Sequence, residues 1–156
     1  MRRHDKEITE ILDIEDILLA GNVCQLAFTV DPAPYIVTLN YAYHDNILYF
    51  HSASKGRKID LAKLNPHVGF SVSIDMGVIK NQLACDWSNR YRSVVGHGVF
   101  KFINTLEEKH QALGLIMSHY SEEQFTFPED ILQKTSVYCV EITEMAAKQS
   151  GRVGSD

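Results

Sequence analysis

The sequence predicts a mainly β protein, a small antiparallel barrel with peripheral helices. Apolar residues alternate with a period of two in run after run, the runs follow one another in hairpin order, and short helical stretches are inserted between them. The 156 residues, 45% hydrophobic and 22% charged, suit one domain. A chain of this length buries about 70% of its unfolded surface, so a core can form without a disulfide or structural metal.

The first element is a helix over Glu7 to Ala20, with Ile8, Ile11, Leu12, Ile14, Leu18 and Leu19 mostly at helical spacing and Gly21-Asn22 as the stop. From Val23 the period changes. Cys24, Leu26, Phe28 and Val30 alternate as a strand, and Asp31-Pro32-Ala33-Pro34 makes a turn. Tyr35, Val37, Leu39, Tyr41 and Tyr43 alternate again, and His44-Asp45-Asn46 separates them from Ile47-Leu48-Tyr49-Phe50, which predicts an antiparallel hairpin.

Next comes His51-Ser52-Ala53-Ser54-Lys55-Gly56-Arg57-Lys58, small and basic, opening onto a short helix from Ile59 to Leu64 that Asn65-Pro66 halts. Val68, Phe70, Val72, Ile74 and Met76 predict a strand. Residues 77–90 have no clear period and are expected to form a long excursion before a strand from Tyr91 to Ile103, in which Gly96 and Gly98 suggest a bulge or a close backbone approach. Thr105-Leu106-Glu107-Glu108 has the form of a capping box, and Leu113, Ile116, Met117 and Tyr120 give the following helix an apolar face. A loop with Phe125, Phe127 and Pro128 leads to a last strand, Ser136 to Thr143. Residues 149–156 are expected to form a tail.

Cys24, Cys85 and Cys139 are widely spaced and odd in number, which signals neither a disulfide framework nor a zinc site and favours a reducing cytoplasm. No apolar run is long enough for a signal peptide or a membrane span. A net charge of −5 disfavours non-specific nucleic-acid binding, so any anion site must be local.

The best candidate for such a site is Ser52 to Lys58. Small residues let a phosphate approach the backbone, a helix start offers free N–H groups, and Arg57 and Lys58 add charge. The competing reading is a solvated loop. His51 ends the strand that enters this turn, so its ring is expected to face whatever binds there; the other histidines show neither HExxH nor paired ligand spacing, and no metal site is expected. Trp87, Tyr91 and Arg92 combine aromatic faces with a cation and suit either stacking on a planar ligand or ordinary packing. Cys85 has no recognisable base beside it.

One set of segments, in order, carries a family resemblance: Tyr35-Ile36-Val37-Thr38-Leu39-Asn40-Tyr41, Leu48-Tyr49-Phe50-His51-Ser52-Ala53, Gly56-Arg57-Lys58-Ile59-Asp60-Leu61, Asn65-Pro66-His67-Val68 and Tyr91-Arg92-Ser93-Val94-Val95-Gly96-His97-Gly98. The chain resembles the pyridoxamine 5′-phosphate oxidase-like flavin-binding split-barrel family, in the branch of the 5-nitroimidazole resistance proteins, over residues 1 to about 148. The Met1-Arg2-Arg3 start is similar to that branch too.

The resemblance implies a six-stranded antiparallel split β-barrel and a homodimer with FMN or FAD sites at the subunit interface. It implies that Val37, Thr38, Leu39 and Asn40 line the isoalloxazine, that His51, Ser52 and Ala53 approach from the next strand, and that Arg57 and Lys58 hold the flavin phosphate. Trp87, Tyr91 and Arg92 are then candidates for cofactor stacking or the substrate-side wall. The chain departs from the pattern at Thr38, where relatives often have Pro, and at Ala42, where they often have Gly. The stretch Ala146 to Arg152 lacks the arginine pattern with which pyridoxamine phosphate oxidases hold substrate, so vitamin B6 oxidation is not expected.

The implied activity is flavin-dependent reduction of small planar nitroaromatics, with His51 as catalytic proton donor or substrate contact. No NAD(P)H fingerprint is visible. Alternatives are a non-catalytic flavin carrier or redox sensor, a haem binder using His51 or His97 as axial ligand, and a dimer whose ligand site has decayed. Neither nucleic-acid nor membrane partners are expected.

Overall fold

A computed structural model describes residues 4–151. The Met1-Arg2-Arg3 start and residues 152–156 lie outside the described residues. A single turn of 3-10 helix over His4–Lys6 leads into β1 (Glu7–Ile8), then α1 (Ile11–Ala20), β2 (Cys24–Phe28), β3 (Tyr35–Leu39), β4 (Ala42–His44) and β5 (Ile47–Ala53). There follow α2 (Arg57–Leu64), β6 (His67–Ile79), β7 (Ser88–Ile103), α3 (Leu106–Tyr120), α4 (Glu129–Lys134) and β8 (Thr135–Ser150). No helix among the described residues is long and apolar enough to cross a membrane.

The strands form one antiparallel sheet in the order β3-β2-β6-β7-β8-β5-β4, with β1 added on β8. The ends of that path, β3 and β4, are neighbours in sequence, joined only by Asn40-Tyr41. Three residue steps cover at most about 11 Å, so the sheet must curl until its two edges nearly meet. This is the predicted barrel. Its six main staves are β2, β5, β6, β7, β8 and the β3/β4 segment; β1 is a two-residue addition.

Alternation places Cys24, Leu26 and Phe28 of β2, Val68, Phe70 and Val72 of β6, and Leu48 and Phe50 of β5 inside, all buried. Phe50 and Phe100 stack on Tyr138 at 5.7 and 4.5 Å between ring centroids, inside the 4.5–7 Å range of favourable aromatic pairs. α1 packs Ile14, Ile17 and Leu18 against this core, and α2 adds Ile59 and Ala62. A second cluster lies on the outer face, where Ala112, Leu113 and Ile116 of α3 meet Val137 and Leu132.

Several boundaries differ from the sequence expectation, each for a tertiary reason. The first helix begins at Ile11 rather than Glu7, because Glu7 and Ile8 pair with Lys148 and Ala147. The last strand runs to Ser150 rather than Thr143, with Gln149 and Ser150 paired to Arg92 and Tyr91. The run Tyr35 to Tyr43 is not one hairpin arm: only Ala42–His44 pairs with Ile47–Tyr49, while Tyr35–Leu39 pairs with β2. The aperiodic 77–90 stretch is mostly the end of a long β6–β7 hairpin, with a 3-10 turn over Ala84–Asp86.

The local signals read from the sequence are present. Asp45 and Asn46, at φ of 49° and 62°, make the β4–β5 turn. The Thr105 hydroxyl caps the helix by accepting from the Glu108 N–H at 3.2 Å, and it donates to the Glu108 carboxylate at 2.6 Å, so the second bond is made by the hydroxyl rather than by the backbone N–H of a capping box. The β7–β8 register shifts between His97 and Gly98. A Cβ on Gly96 would fall 2.7 Å from the Phe70 ring and against the Glu144 carbonyl, so only glycine lets these strands approach.

Candidate functional site

β4 pairs with β5 only at Ile47, Leu48 and Tyr49. Beyond Tyr49 the remaining β5 residues keep β8 on one side and have no strand on the other. β3 likewise has β2 on one side only. These two half-paired edges face each other across the place where the barrel fails to close, and their outward N–H and C=O groups have no backbone partner among the described residues. Such groups are obligatory hydrogen-bonding positions that solvent or a ligand must satisfy.

The seam has a basic end. Gly56, at φ +134°, a value open to glycine, turns the chain from β5 into α2. No side chain caps α2, so the first N–H groups of Arg57 and Lys58 are free. The Arg57 guanidinium lies 4.8 Å from the Tyr35 ring centroid, which fixes the start of α2 beside β3. Lys55, Arg57 and Lys58 have no carboxylate partner among the described residues. A helix start, three cations without a carboxylate partner among the described residues and backbone groups without a strand partner have the chemistry that suits an anionic group attached to a flat polar one.

Val37 and Leu39 point toward the barrel interior, half-buried, whereas Thr38 and Asn40 are exposed. On β5 the alternation puts His51 and Ala53 on the outer face and Ser52 on the inner one. The His51 ring has solvent on one side, yet enough protein surrounds it that burial lowers its pKa below the ordinary value, leaving it uncharged at neutral pH. Beneath the seam, burial pushes the Tyr138 phenol up to about 12, with the nearby Ser52 hydroxyl acting against that shift. The Tyr138 hydroxyl is buried with no hydrogen-bond partner among the described residues, and the Ser52 hydroxyl beside it donates to the Ala53 carbonyl at 2.9 Å.

The structure therefore places Val37–Leu39 on one half-paired edge with Asn40 just after it, His51–Ala53 on the other, and Arg57 and Lys58 at the helix start that follows, with Arg57 against Tyr35 of β3. It does not bring Trp87, Tyr91 and Arg92 there. Ser52 is opposite Ser136 on β8, while Tyr91 is opposite Ser150; fourteen strand residues amount to roughly 45 Å of chain. Arg92 donates to the Asp13 carbonyl of α1 at 2.9 Å, Trp87 donates to the Asn81 carbonyl at 2.8 Å, and Lys148 lies 5.5 Å from the Tyr91 ring centroid. His97 is exposed, with its ring 3.7 Å from the Glu144 carboxylate. Cys85 is exposed on the hairpin connection.

Two residues of this site escaped the sequence reading. Tyr35 was legible only as a strand residue, and its contact with Arg57 needs the fold. Tyr138 looked like one more inward aromatic, and nothing local marks its missing hydrogen-bond partner.

Comparison with known proteins agrees with this architecture. A solved structure of a provisionally assigned 5-nitroimidazole antibiotic resistance protein from Bacteroides thetaiotaomicron VPI-5482 is 31% identical, covering 92% of this chain and 86% of that one, with a TM-score of 0.82. The flavocytochrome Anf3 of Azotobacter vinelandii shares the fold at 17% identity, covering 100% and 74%, with a TM-score of 0.82. A FAD-binding protein of Mesorhizobium loti does so at 24% identity, covering 92% and 96%, with a TM-score of 0.67. A Rhizobium meliloti (strain 1021) protein without an assigned function is 36% identical over 61 residues, 39% of this chain and 40% of that protein. The family model for pyridoxamine 5′-phosphate oxidase matches residues 11–149, nearly all of the described fold, and the chain belongs to that family.

Proposed function

We propose that the protein is a cytoplasmic flavoprotein that works as a homodimer and reduces nitroaromatic compounds such as 5-nitroimidazoles. One observation carries this reading: among the described residues, the open seam has unpaired backbone on both edges and ends at an uncapped helix start bearing Arg57 and Lys58 with no carboxylate partner. The residues present suit FMN or FAD, whose phosphate needs cations and free N–H groups and whose ring needs backbone donors and acceptors along its polar edge. The likeness to the Bacteroides protein, at 31% identity, supports nitroaromatics as the substrate class.

When bound, the flavin supplies the electrons for reducing the nitro group. The chain's own part is to hold and to shield. Arg57 and Lys58 hold the phosphate, and the edges at Val37–Asn40 and His51–Ala53 offer hydrogen bonds to the ring. His51, uncharged at neutral pH by reason of its burial, acts first as a hydrogen-bonding contact; negative charge arriving nearby would raise its pKa and let it carry a proton. The substrate side needs a second copy. Trp87 and its exposed neighbours lie too far along the sheet to cover the seam of their own chain, so a partner's hairpin would supply that wall.

The first test is the absorption spectrum of the purified protein from 300 to 700 nm, with the released ligand identified by mass. Flavin bands at about one per chain are expected, with anaerobic reoxidation of the photoreduced protein when a 5-nitroimidazole is added. A colourless protein that also refuses added FMN and FAD would overturn the reading. Stoichiometric flavin that no nitro compound reoxidises would reduce it to a carrier or sensor.

A further inference from the structure

A cleft of about 650 Å³ lies on the outer face of the sheet beside α3; it reaches Tyr49, next to where the seam begins, but its lining includes none of Val37–Asn40, His51–Ala53, Arg57 and Lys58. That volume is in the range of small-molecule sites. Its floor is formed by Tyr49 and Cys139, directly opposite each other on β5 and β8, with Ile103 of β7 beside them. Its wall is a stripe of α3, Glu108, Gln111 and Leu115, spaced to face one side of a helix. A Cβ built on Gly114 of this helix meets nothing within 4 Å, which leaves the cleft open there. The Tyr49 hydroxyl and the Gln111 amide have no hydrogen-bond partner among the described residues.

The cleft lining carries one carboxylate, Glu108, and neither lysine nor arginine; His44, also in the lining, lies 3.3 Å from the Asp45 carboxylate. Burial is the main cause that pushes the Cys139 thiol up to about 11, and Glu141 and Glu108 add to it with only Lys101 opposing. The Tyr49 phenol is raised by burial first, then by Cys139, Asp45 and Glu141. Lys101 is already held by Glu141 at 2.6 Å. Glu141 and Lys101 thus neutralise each other outside the lining, and Glu108 is left as the carboxylate beside the apolar floor. Glu108 is also pre-oriented, because the Thr105 hydroxyl binds its carboxylate.

We propose that this cleft is a second binding site, separate from the flavin seam, for a small organic cation: a protonated or quaternary amine on a flat apolar body. The body lies on Tyr49, Ile103 and Leu115, and the cationic end points to Glu108, where attraction to the carboxylate and to the Tyr49 ring face combine. An anion of the same shape is excluded by the same carboxylate.

The test is an amide-shift titration of the protein, with and without flavin, using benzyltrimethylammonium and, as a matched anion, phenylacetate. Benzyltrimethylammonium is expected to give saturable shifts at Tyr49, Cys139 and residues 108–118, while phenylacetate gives none. Glu108→Gln keeps the capping geometry and should weaken the cation roughly fivefold. Gly114→Leu enters open space and should block it. Flavin content should be the same in both variants, which separates this site from the seam. Equal binding of the two probes, shifts confined to other elements, no saturable shift, or binding that survives both substitutions would overturn the proposal.

Discussion

The two ends of this sheet have opposite deficiencies. At the seam, among the described residues, β3 and the end of β5 leave backbone polar groups unpaired, and Lys55 and Lys58 stand without a carboxylate partner. At the far end, the β6–β7 hairpin leaves apolar side chains uncovered: Met76 is 47% exposed, Val78 57%, Leu83 62% and Trp87 49%. Unpaired polar groups favour a ligand that hydrogen-bonds, and a protruding apolar arm favours another protein surface. A single chain leaves both ends without a partner among the described residues; under the proposed function, a ligand would answer one end and a second copy of the chain the other. The comparison teaches that the two ends call for different kinds of partner, one polar and one apolar.

The largest expected effect tests the wall that joins the two ends. Phe50→Ala removes a ring stacked on Tyr138 and should cost about 3–5 kcal/mol in urea unfolding. A cost under about 1 kcal/mol would mean that the interior is not continuous. Next, Arg57→Ala combined with Lys58→Ala should weaken FMN binding about 10- to 100-fold, the value of one or two charge-assisted hydrogen bonds, and leave the melting temperature of the flavin-free protein nearly unchanged. Unchanged FMN affinity would remove the phosphate role.

Trp87→Ala addresses the other end. It should raise the dimer dissociation constant by about tenfold, measured by analytical ultracentrifugation, while unfolding of the dissociated chain shifts by no more than about 0.5 kcal/mol. A dimer indifferent to this change would break the proposed pairing of arm and seam.

The smallest effect concerns pH. Burial holds the folded pKa of His51 below the unfolded one, so in that window the unfolded chain binds more protons and stability falls as pH drops below about 6.5. Because the ring is partly solvated, the slope will be shallow. Melting curves across that range should show His51→Gln losing less stability on acidification than the parent. A steeper loss in the variant would contradict the assigned direction.

How much of this was legible beforehand depends on what periodicity reports. Tyr35, Val37, Leu39, Tyr41 and Tyr43 keep a period of two, and all five do point inward. The pattern gave the facing correctly and the pairing wrongly, since the chain changes partners at Asn40-Tyr41 without changing face. The 77–90 stretch was opaque for the opposite reason: its hairpin is exposed on both faces, so burial imposes no alternation. At the seam, Arg57 and Lys58 stood out because cations after a glycine at a helix start are a local signal. The cleft beside α3 carried none, because Tyr49, Glu108 and Cys139 meet only through long-range packing.

The two-residue joint between β3 and β4 has a geometrical consequence. From Asn40-Tyr41, β3 runs back to Tyr35 and, past β4 and its turn, β5 runs on to Ala53, so the two edges are tied covalently at one end. At that end the spacing of the edges is limited by bond lengths, whereas toward Tyr35 it rests on side-chain contacts such as Arg57 against the Tyr35 ring, so the seam is hinged at one end and adjustable at the other.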